Sequence, residues 1–400
     1  MRDRPMRVRT LAVAFTALLT LVTAAPQSPA SAASSVNAAT VAEGAELEKI
    51  CREQGGDLPS RPQGWTPTRF EQCHIYEREI NLYRADTLEY RGKIQFHYLI
   101  LGYAQYAERR FEILLSLEEV KISPQLNHEL GYITVDMSGC KNVTNINCVG
   151  ETYRSHSIAE WHERPYFNPI IATSTNDTGT APYLTVDLTA TTTITVEYRD
   201  GITNQYTESI AVTRARYDSA GQAIGSAPQH GSVFRDHAPV LELDRSAGSN
   251  HRQEAIHVDD ALNSTYRTFP SFLGKSPPGK VGGQPLHRHM GSRSDLNRDE
   301  ARKACIAIWG PEYSTGGLQC DEYPFAVTYE GAATSTSGIT CGNDNGSAPS
   351  NPNWSAWHGS ARPIDGTQNG NAGSLLSAFF RTQRILNCDG FHVRVSAGLP

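Results

Sequence analysis

Apolar residues occupy every second position in two stretches of this 400-residue chain, residues 94–100 and 111–117. This alternation is typical of strands that bury one face, so it predicts two neighbouring strands joined by a turn at residues 105–109. The same interpretation applies to residues 131–137, 183–198 and 206–217. Asp200-Gly201 lies between the last two stretches and predicts a hairpin turn. Together these strands predict an all-β domain.

We place this all-β, sandwich-like domain at residues 46–245 and a smaller α+β domain at residues 246–400, so the predicted fold class is α+β overall. Residues 294–308 carry apolar side chains on one face and predict a helix. A second helix is predicted at 372–386, and residues 391–395 alternate as a closing strand. Residues 251–268 are compatible with a further helix or an extended arm.

The first residues have the pattern of an export signal. Four arginines precede an apolar run at residues 11–25, and Ala30-Ser31-Ala32 supplies the small side chains of a cleavage site. We therefore predict a signal peptide at residues 1–32 and a flexible linker at 33–45. The apolar run is too short for a membrane helix, and no later stretch reaches about twenty apolar residues. The prediction is a secreted protein without a membrane anchor.

Cysteine usage agrees with an oxidising compartment. The eight cysteines are Cys51, Cys73, Cys140, Cys148, Cys305, Cys320, Cys341 and Cys388. Four precede residue 150 and four follow residue 300, so each predicted domain can hold its own disulfides. Sequential pairing is predicted because every such pair closes a loop within one domain. The chain has no CxxC spacing, which argues against a zinc ribbon or a thioredoxin-like redox site.

The charge of the chain shows no excess of basic residues of the kind that binds nucleic acid. The formal net charge is −6, and the predicted signal peptide contains four arginines and one aspartate, which leaves −9 for the remainder. Residues 281–400 contain nine Lys or Arg against ten acids. A nuclease must release its product, and a metal with a few arginines can hold one phosphate, so this balance is compatible with DNA cleavage.

The stretch with most chemical content is CDEYPFAVTYEGA, residues 320–332. Its pattern predicts a half-buried strand that begins after Pro324, with the adjacent carboxylates of Asp321 and Glu322 at the mouth of the strand. Carboxylates held there can bind a hard divalent cation or take a proton from water. The alternative is a disulfide-pinned turn whose acids are merely solvated.

CDEYPFA followed by Tyr-Glu-Gly closely resembles the signature of the NucA/NucB family of secreted bacterial deoxyribonucleases. Leu-His-Arg at 286–288, Asn-Arg-Asp-Glu at 297–300 and Gln-Asn-Gly-Asn at 368–371 fall where that family has them. The resemblance covers residues 285–395. It implies DNA as the substrate, cleavage with little sequence preference, Mg²⁺ or Mn²⁺ as the metal and no small-molecule cofactor. Oligomeric state is not implied.

The resemblance assigns roles to particular residues. Asp321 is expected to act as general base, and Glu322 as a second acid near the metal. The order strand, long loop, Asn369, helix resembles a ββα-metal nuclease site, in which Asn369 binds the metal directly or through water and Gln368 assists. The alternative for Asn369 is a helix cap. Ala332 and Asn371 depart from the family pattern.

Further candidates complete this site. Arg288, Arg298 and Arg384 are expected to bind phosphate because a guanidinium forks across two oxygens, and the alternative is a surface position. His287 is a second candidate base or acid, and Glu330 is expected to orient its neighbours. Two other functions stay open. One is a secreted β-rich adhesion or binding protein with an inactive nuclease-like domain. The other is an antibacterial toxin or a nuclease that acts on RNA, which a comparison of DNA and RNA as substrates would distinguish.

Overall fold

The computed structural model describes residues 44–138, 146–163, 170–174, 183–344 and 351–397, with the backbone alone for residues 183–191 and 208–214. The predicted signal peptide, nearly all of the predicted linker and Cys140 lie outside the described residues. Within the described part, no helix has the length and apolar character needed to cross a membrane.

The N-terminal part is one large antiparallel sheet preceded by helix α1 (residues 44–54). Its strands are β1 (Trp65–Thr68), β2 (Glu71–Arg84), β3 (Tyr90–Ala104), β4 (Arg110–Ile122), β5 (Gly131–Ser138), β6 (Ile146–Val149), β7 (Tyr153–Ser157), β8 (Ile170–Ser174), β9 (Tyr183–Tyr198), β10 (Ile202–Asp218) and β11 (Gly231–Phe234). The order across the sheet is β6-β8-β4-β3-β2-β10-β9-β5-β7, with β1 on β2 and β11 on β10.

The alternating pattern predicted β3, β4, β5, β9 and β10, but the predicted sandwich was wrong. The eleven described strands form a single curved sheet, a half-barrel, in place of two packed layers. Apolar side chains from strands at both ends of the sheet meet in one core, and the fully buried Trp161 of helix α2 (Ile158–Glu163) packs among them. Curvature lets one face enclose its own core, and a buried apolar side chain contributes roughly 1.5–3 kcal/mol there.

The C-terminal part is mixed α+β, as predicted. Its elements are β12 (Val240–Asp244), α3 (Arg252–Asn263), β13 (Leu286–His287), α4 (Arg293–Trp309), β14 (Leu318–Tyr323), α5 (Ala332–Thr336), β15 (Ser360–Asp365), α6 (Gly366–Thr382) and β16 (Gly390–Ser396). One sheet has the order β12-β16-β13, and β14 pairs antiparallel with β15. Strand β12 precedes the predicted boundary at residue 245 but pairs with β16.

Local sequence explains the ends of the helices that flank the site. Helix α4 ends at Gly310, whose positive φ of 82° suits a residue without Cβ. Helix α6 begins six residues earlier than the pattern predicted, because the Asp365 carboxylate caps it by accepting from the backbone N–H groups of Thr367 and Gln368. Asn369 therefore lies in the first turn of α6, and neither precedes the helix nor caps it.

Three of the four predicted disulfides lie entirely within the described residues. Cys51–Cys73 joins α1 to β2, Cys305–Cys320 joins α4 to β14, and Cys341–Cys388 closes the longest loop. These three pairings confirm the prediction. The fourth predicted pair, Cys140–Cys148, includes a residue outside the described part.

A buried ionic network joins the two parts of the chain. Arg384 is fully buried, forms an ion pair with Asp218 of β10 and donates to the carbonyl of Tyr106 at 3.0 Å. Arg69 and Arg216 approach the Asp389 carboxylate at 2.8 and 2.5 Å. Arg384 was predicted to bind phosphate, and that prediction is wrong because its guanidinium is enclosed by the junction. The charges are paired, as burial requires.

Candidate active site

A cleft of about 680 Å³ runs along β14 between helices α4 and α6. It brings together most of the residues that the sequence singled out. Its lining includes Glu254, Arg288, His289, Arg298, Arg302, Asp321, Glu322 and Asn369. The acids of one strand and the amide of a later helix therefore line one cavity.

The two adjacent acids lie within β14, which ends at Tyr323. The sequence instead predicted a strand that begins after Pro324, and this was wrong: residues 324–331 form turns, since proline has no N–H to continue the ladder. Successive residues of a strand point to opposite faces. Asp321 contacts α3 and is 4% exposed, whereas Glu322 is half-buried and feels the charges of α4.

Helix α3 supplies a buried network that holds Asp321. The Oδ2 atom of Asp321 lies 2.5 Å from Nδ1 of His257, and Nε2 of His257 lies 2.6 Å from Oγ of Ser360 on β15. Glu254, one helical turn before His257, also hydrogen bonds with Asp321. One oxygen of Glu254, Oε2, is buried without a hydrogen-bond partner. Two side chains of α3 therefore hold the Asp321 carboxylate in position.

The charges of the three carboxylates differ because their surroundings differ. Burial acts to raise the pKa of Asp321, but attraction to His257 and hydrogen bonds from His257 and Glu254 outweigh burial and lower it. Burial, and then the negative charge of Asp321, raise the pKa of Glu254 well above its ordinary value. The same two causes raise the pKa of Glu322 to about 8. At neutral pH the negative charge of the cluster therefore resides on Asp321.

Three arginines face the cleft. Arg298 and Arg302 are exposed on α4, each paired with an acid three residues before it, Asp295 at 2.8 Å and Asp299 at 2.7 Å. Both cations act to lower the pKa of Glu322. Arg288 donates to the Ile385 carbonyl and its guanidinium lies 4.5 Å from the centre of the Phe380 ring. Arginines at such positions can bind a phosphodiester.

His287 and Glu330 form a pair outside the cleft lining. Glu330 accepts from the His287 backbone N–H and lies against its ring Nδ1, both at 2.9 Å, and this hydrogen bond raises the pKa of His287. The pair supports β13, and Arg288 directly follows that strand. His289 lines the cleft, its ring is 4% exposed, and its Nδ1 is buried without a hydrogen-bond partner.

The two predicted metal ligands have different surroundings. Asn369 lines the cleft, and its amide nitrogen donates to Oε1 of Gln319 at 3.1 Å. Gln368 lies outside the cleft, where its Oε1 accepts from the backbone N–H of Gln253 at 2.8 Å. Gln368 therefore links α6 to α3, and its contacts do not place it among the residues that line the cleft.

Asn297, part of the Asn-Arg-Asp-Glu motif, organises the turn that follows β14. It is fully buried, donates to the carbonyl of Ala326 at 2.8 Å and accepts from the N–H of Ala333 at 2.9 Å. A Cβ at Gly331 would lie 2.2 Å from the Asn297 amide, so this turn requires glycine. The motif is thus partly structural, and it holds the turn against α4.

The cleft fits a hydrated divalent cation. The side-chain oxygens of four lining residues could serve as ligands: those of Asn369, Asp321, Glu322 and Glu254. The Oε2 atom of Glu254 is buried and has no hydrogen-bond partner. Hard cations prefer oxygen ligands, and Mg²⁺ usually keeps several waters. Among the described residues, no three His, Cys, Asp or Glu side chains are grouped closely enough to hold a metal by themselves. One or two protein oxygens with water would have to hold it.

Sequence reasoning missed Glu254, His257 and Arg302. The signal for the first two was their spacing of three residues on a predicted helix, which places both side chains on one face. Nothing in the sequence pointed that face toward β14. Arg302 follows Arg298 by four residues, so the same argument extends the predicted cationic face of α4.

Comparison with known proteins identifies the region that carries this cleft. Residues 286–394 match the family model described as deoxyribonuclease NucA/NucB. The match confirms the resemblance and its place in the chain, and it supports deoxyribonuclease activity. It leaves out α3, and with it Glu254 and His257. No curated protein and no solved structure matched the chain in the same comparisons.

Proposed function

We propose that the protein is a secreted, divalent-metal-dependent deoxyribonuclease that hydrolyses DNA with little sequence preference. One observation carries the proposal: Asp321 and Asn369, from separate elements, line one cleft together with three arginines. This is the set of groups that phosphodiester hydrolysis needs, namely a base, an oxygen ligand and cations for phosphate.

Asp321 is the proposed general base. Its lowered pKa keeps it ionised at neutral pH, and its contacts with His257 and Glu254 fix the direction of its carboxylate. Correct placement is required before a base can take a proton from water. Arg298 and Arg302 bind the phosphate on one side of the cleft, and Arg288 binds it from the other.

Asn369 and Glu322 are the proposed holders of a hydrated Mg²⁺ or Mn²⁺, with this cleft as the ββα-metal-like site. When bound, the cation polarises a phosphoryl oxygen and offsets developing negative charge. Glu322 remains protonated until its pKa of about 8 in the ion-free protein. A cation nearby favours the ionised form, so metal binding and ionisation of Glu322 support each other.

Low sequence preference follows from the groups available for contact. The proposed DNA contacts are guanidinium groups that bind phosphate, and phosphate contacts carry no direct information about the bases. Secretion agrees with the three disulfides. The predicted signal peptide and the two-domain division near residue 245 belong to the same proposal.

The experiment is cleavage of supercoiled plasmid by the mature, oxidised full chain. We expect nicking and linearisation with Mg²⁺ or Mn²⁺, and loss of cutting after a chelator is added. Uniform fragment patterns from two unrelated plasmids test the sequence preference. An intact plasmid at every metal concentration tested would contradict the proposal, and preferential cutting of single-stranded RNA would reassign the substrate.

A further inference from the structure

A second cavity of about 540 Å³ lies beside the cleft, and we name it the Trp309 groove. It is formed where the C-terminal end of α4 meets the beginning of β14, the first four residues of β15 and a short segment after α3. Its lining is Arg267, Thr268, Phe269, Trp309, Tyr313, Leu318 and residues 360–363. None of the roles proposed above uses the groove.

The groove adjoins the cleft. Tyr313 and Leu318 line both cavities, so a chain bound at Asp321 can extend past Tyr313 without leaving the surface. On its far side, the groove is bounded by Phe269, whose carbonyl accepts from the Ala361 N–H at 2.9 Å next to β15. The groove therefore has a fixed backbone framework on both sides.

Exposed aromatic rings distinguish this groove from the cleft. Trp309 is 40% exposed and Phe269 is 38% exposed, and their ring centres are 5.6 Å apart with perpendicular planes. Of the five tryptophans, all within the described residues, Trp309 alone is more than a third exposed. Large rings held in a groove and left open to solvent suit a ligand that has flat faces of its own.

The charge of the groove is positive. Arg267 and Arg362 both pair with Asp260, at 3.3 and 2.9 Å, so two guanidinium groups share one carboxylate. The Arg267 side chain is 57% exposed and the Arg362 side chain is 28% exposed, so both can still reach a solvent-side anion. Aromatic rings beside surplus cationic charge are the combination that binds bases and backbone of single-stranded nucleic acid.

We propose that the Trp309 groove binds an unpaired stretch of DNA that continues from the cleft, with a base stacked on Trp309 or Phe269 and a phosphate near Arg267. This inference rests on the proposed function, because it names the form of the substrate at that site. Bases within a duplex already stack on one another, so the groove favours single strands and frayed ends over closed duplex.

The test measures binding without cleavage, using the full chain in a chelator and a fluorescein-labelled twelve-nucleotide oligo(dT) read by anisotropy. We expect Trp309→Ala to weaken binding by about tenfold, in the range for loss of one base stack. Trp309→Phe keeps a ring and should lose less. In wild type, oligo(dT) should also quench the tryptophan fluorescence, and this quenching should disappear in Trp309→Phe.

Ile306→Ala is the matched control, because Ile306 is 43% exposed on the same helix and lies outside the groove lining. Its affinity should equal that of wild type. The proposal is overturned if Trp309→Ala and Phe269→Ala bind oligo(dT) like wild type. It is also overturned if each variant loses as much affinity for a closed hairpin duplex as it loses for oligo(dT). If sedimentation shows that the wild type is a dimer and the Trp309→Ala variant is a monomer, the groove would instead be assigned to self-association.

The binding test is independent of the proposed cleavage. If the protein binds oligo(dT) through Trp309 yet leaves plasmid intact, the proposal for the groove stands and the proposed nuclease activity is contradicted. If the protein cuts plasmid while the Trp309→Ala variant binds oligo(dT) like wild type, the proposed nuclease activity stands and the proposal for the groove is contradicted.

Discussion

The Nδ1 atom of His257 lies 2.5 Å from the Oδ2 atom of Asp321, and this contact joins helix α3 to the strand that carries the proposed base. Asp321 lies in the region that matches the nuclease family, whereas His257 lies before it. The site therefore includes residues outside the matched region, and removing α3 would leave Asp321 buried with fewer partners.

His257→Gln tests whether His257 positions Asp321. The imidazole lowers the pKa of Asp321, so its removal raises that pKa and shifts the acidic limb of the pH–rate profile to higher pH. We expect kcat to fall by about tenfold or more and KM to change little, because the contact orients the base. The measurement is plasmid nicking from pH 4 to 9.

Ser360→Ala is the companion variant, since it removes the other partner of the His257 ring. It should shift the profile less, because the His257 imidazole remains beside Asp321. A profile identical to wild type in His257→Gln would show that the contact is only structural.

Asp321→Asn removes the proposed base with little change in volume. Cutting should fall by about a hundredfold or more, the usual contribution of a general base. Asp86→Asn, an exposed acid in the turn between β2 and β3, is the control and should cut like wild type. Melting temperatures must be compared as well, because Asp321 is buried and bonded to His257. Near-normal rates in a folded Asp321→Asn protein would assign the base elsewhere, with His289 as the next candidate.

Glu322→Gln should make stability less sensitive to pH. The folded pKa of Glu322 is about 8 and its ordinary value is near 4.5, so the folded state resists ionisation that the unfolded chain accepts. Wild type therefore loses stability relative to the variant as pH rises from about 4.5 to 8, and the difference is constant above that range.

Melting temperature against pH, in a chelator, measures this effect, with Glu312→Gln on an exposed loop as the control. The gap between Glu322→Gln and wild type should widen across that range. A constant gap at all pH values would exclude a raised pKa at Glu322. The same variant should cut DNA more slowly, since it removes a proposed oxygen ligand.

Asn369→Ala tests the proposed cation site. The variant should need about tenfold more Mg²⁺ for half-maximal cutting, because one protein ligand is lost while water can replace it in part. Titration of plasmid nicking with Mg²⁺ and separately with Mn²⁺ gives the values. Asn371→Ala, two residues further along α6, is the control; its side chain donates to the Asn250 carbonyl. Equal metal requirements in all three proteins would remove Asn369 from the site.

Arg384→Leu tests whether Arg384 stabilises the fold through its ion pair with Asp218 or binds phosphate, as the sequence predicted. The substitution leaves the buried Asp218 with only Arg216, at 3.7 Å, as an ion-pair partner, so we expect a loss of about 3–5 kcal/mol in unfolding free energy. Denaturant titration measures it. Arg381→Leu, an exposed position on α6, should unfold like wild type. A phosphate-binding role would instead give normal stability with a raised KM for DNA.

Several features of this protein were determined by the sequence alone. Alternation of apolar residues identified the long strands β3, β4, β9 and β10, because a strand with one buried face must repeat every second residue. Helix α4 and three disulfides were equally predictable from local pattern and spacing. The CDEYPFA motif located the region that matches the nuclease family, and the resemblance to a ββα-metal site implied that Asp321 and Asn369 would lie at one site; both line the cleft.

Only the tertiary structure decided which side chains face one another. Curvature of a sheet depends on contacts between distant strands, so one curved sheet and a sandwich share the same alternating pattern. Gln368 and Arg384 carry suitable groups, but packing against α3 and β10 engages them elsewhere. His257 and Glu254 reach Asp321 because α3 packs on β14, and the apolar core that holds them together includes residues from β12, α6 and β16, which are far apart in the chain.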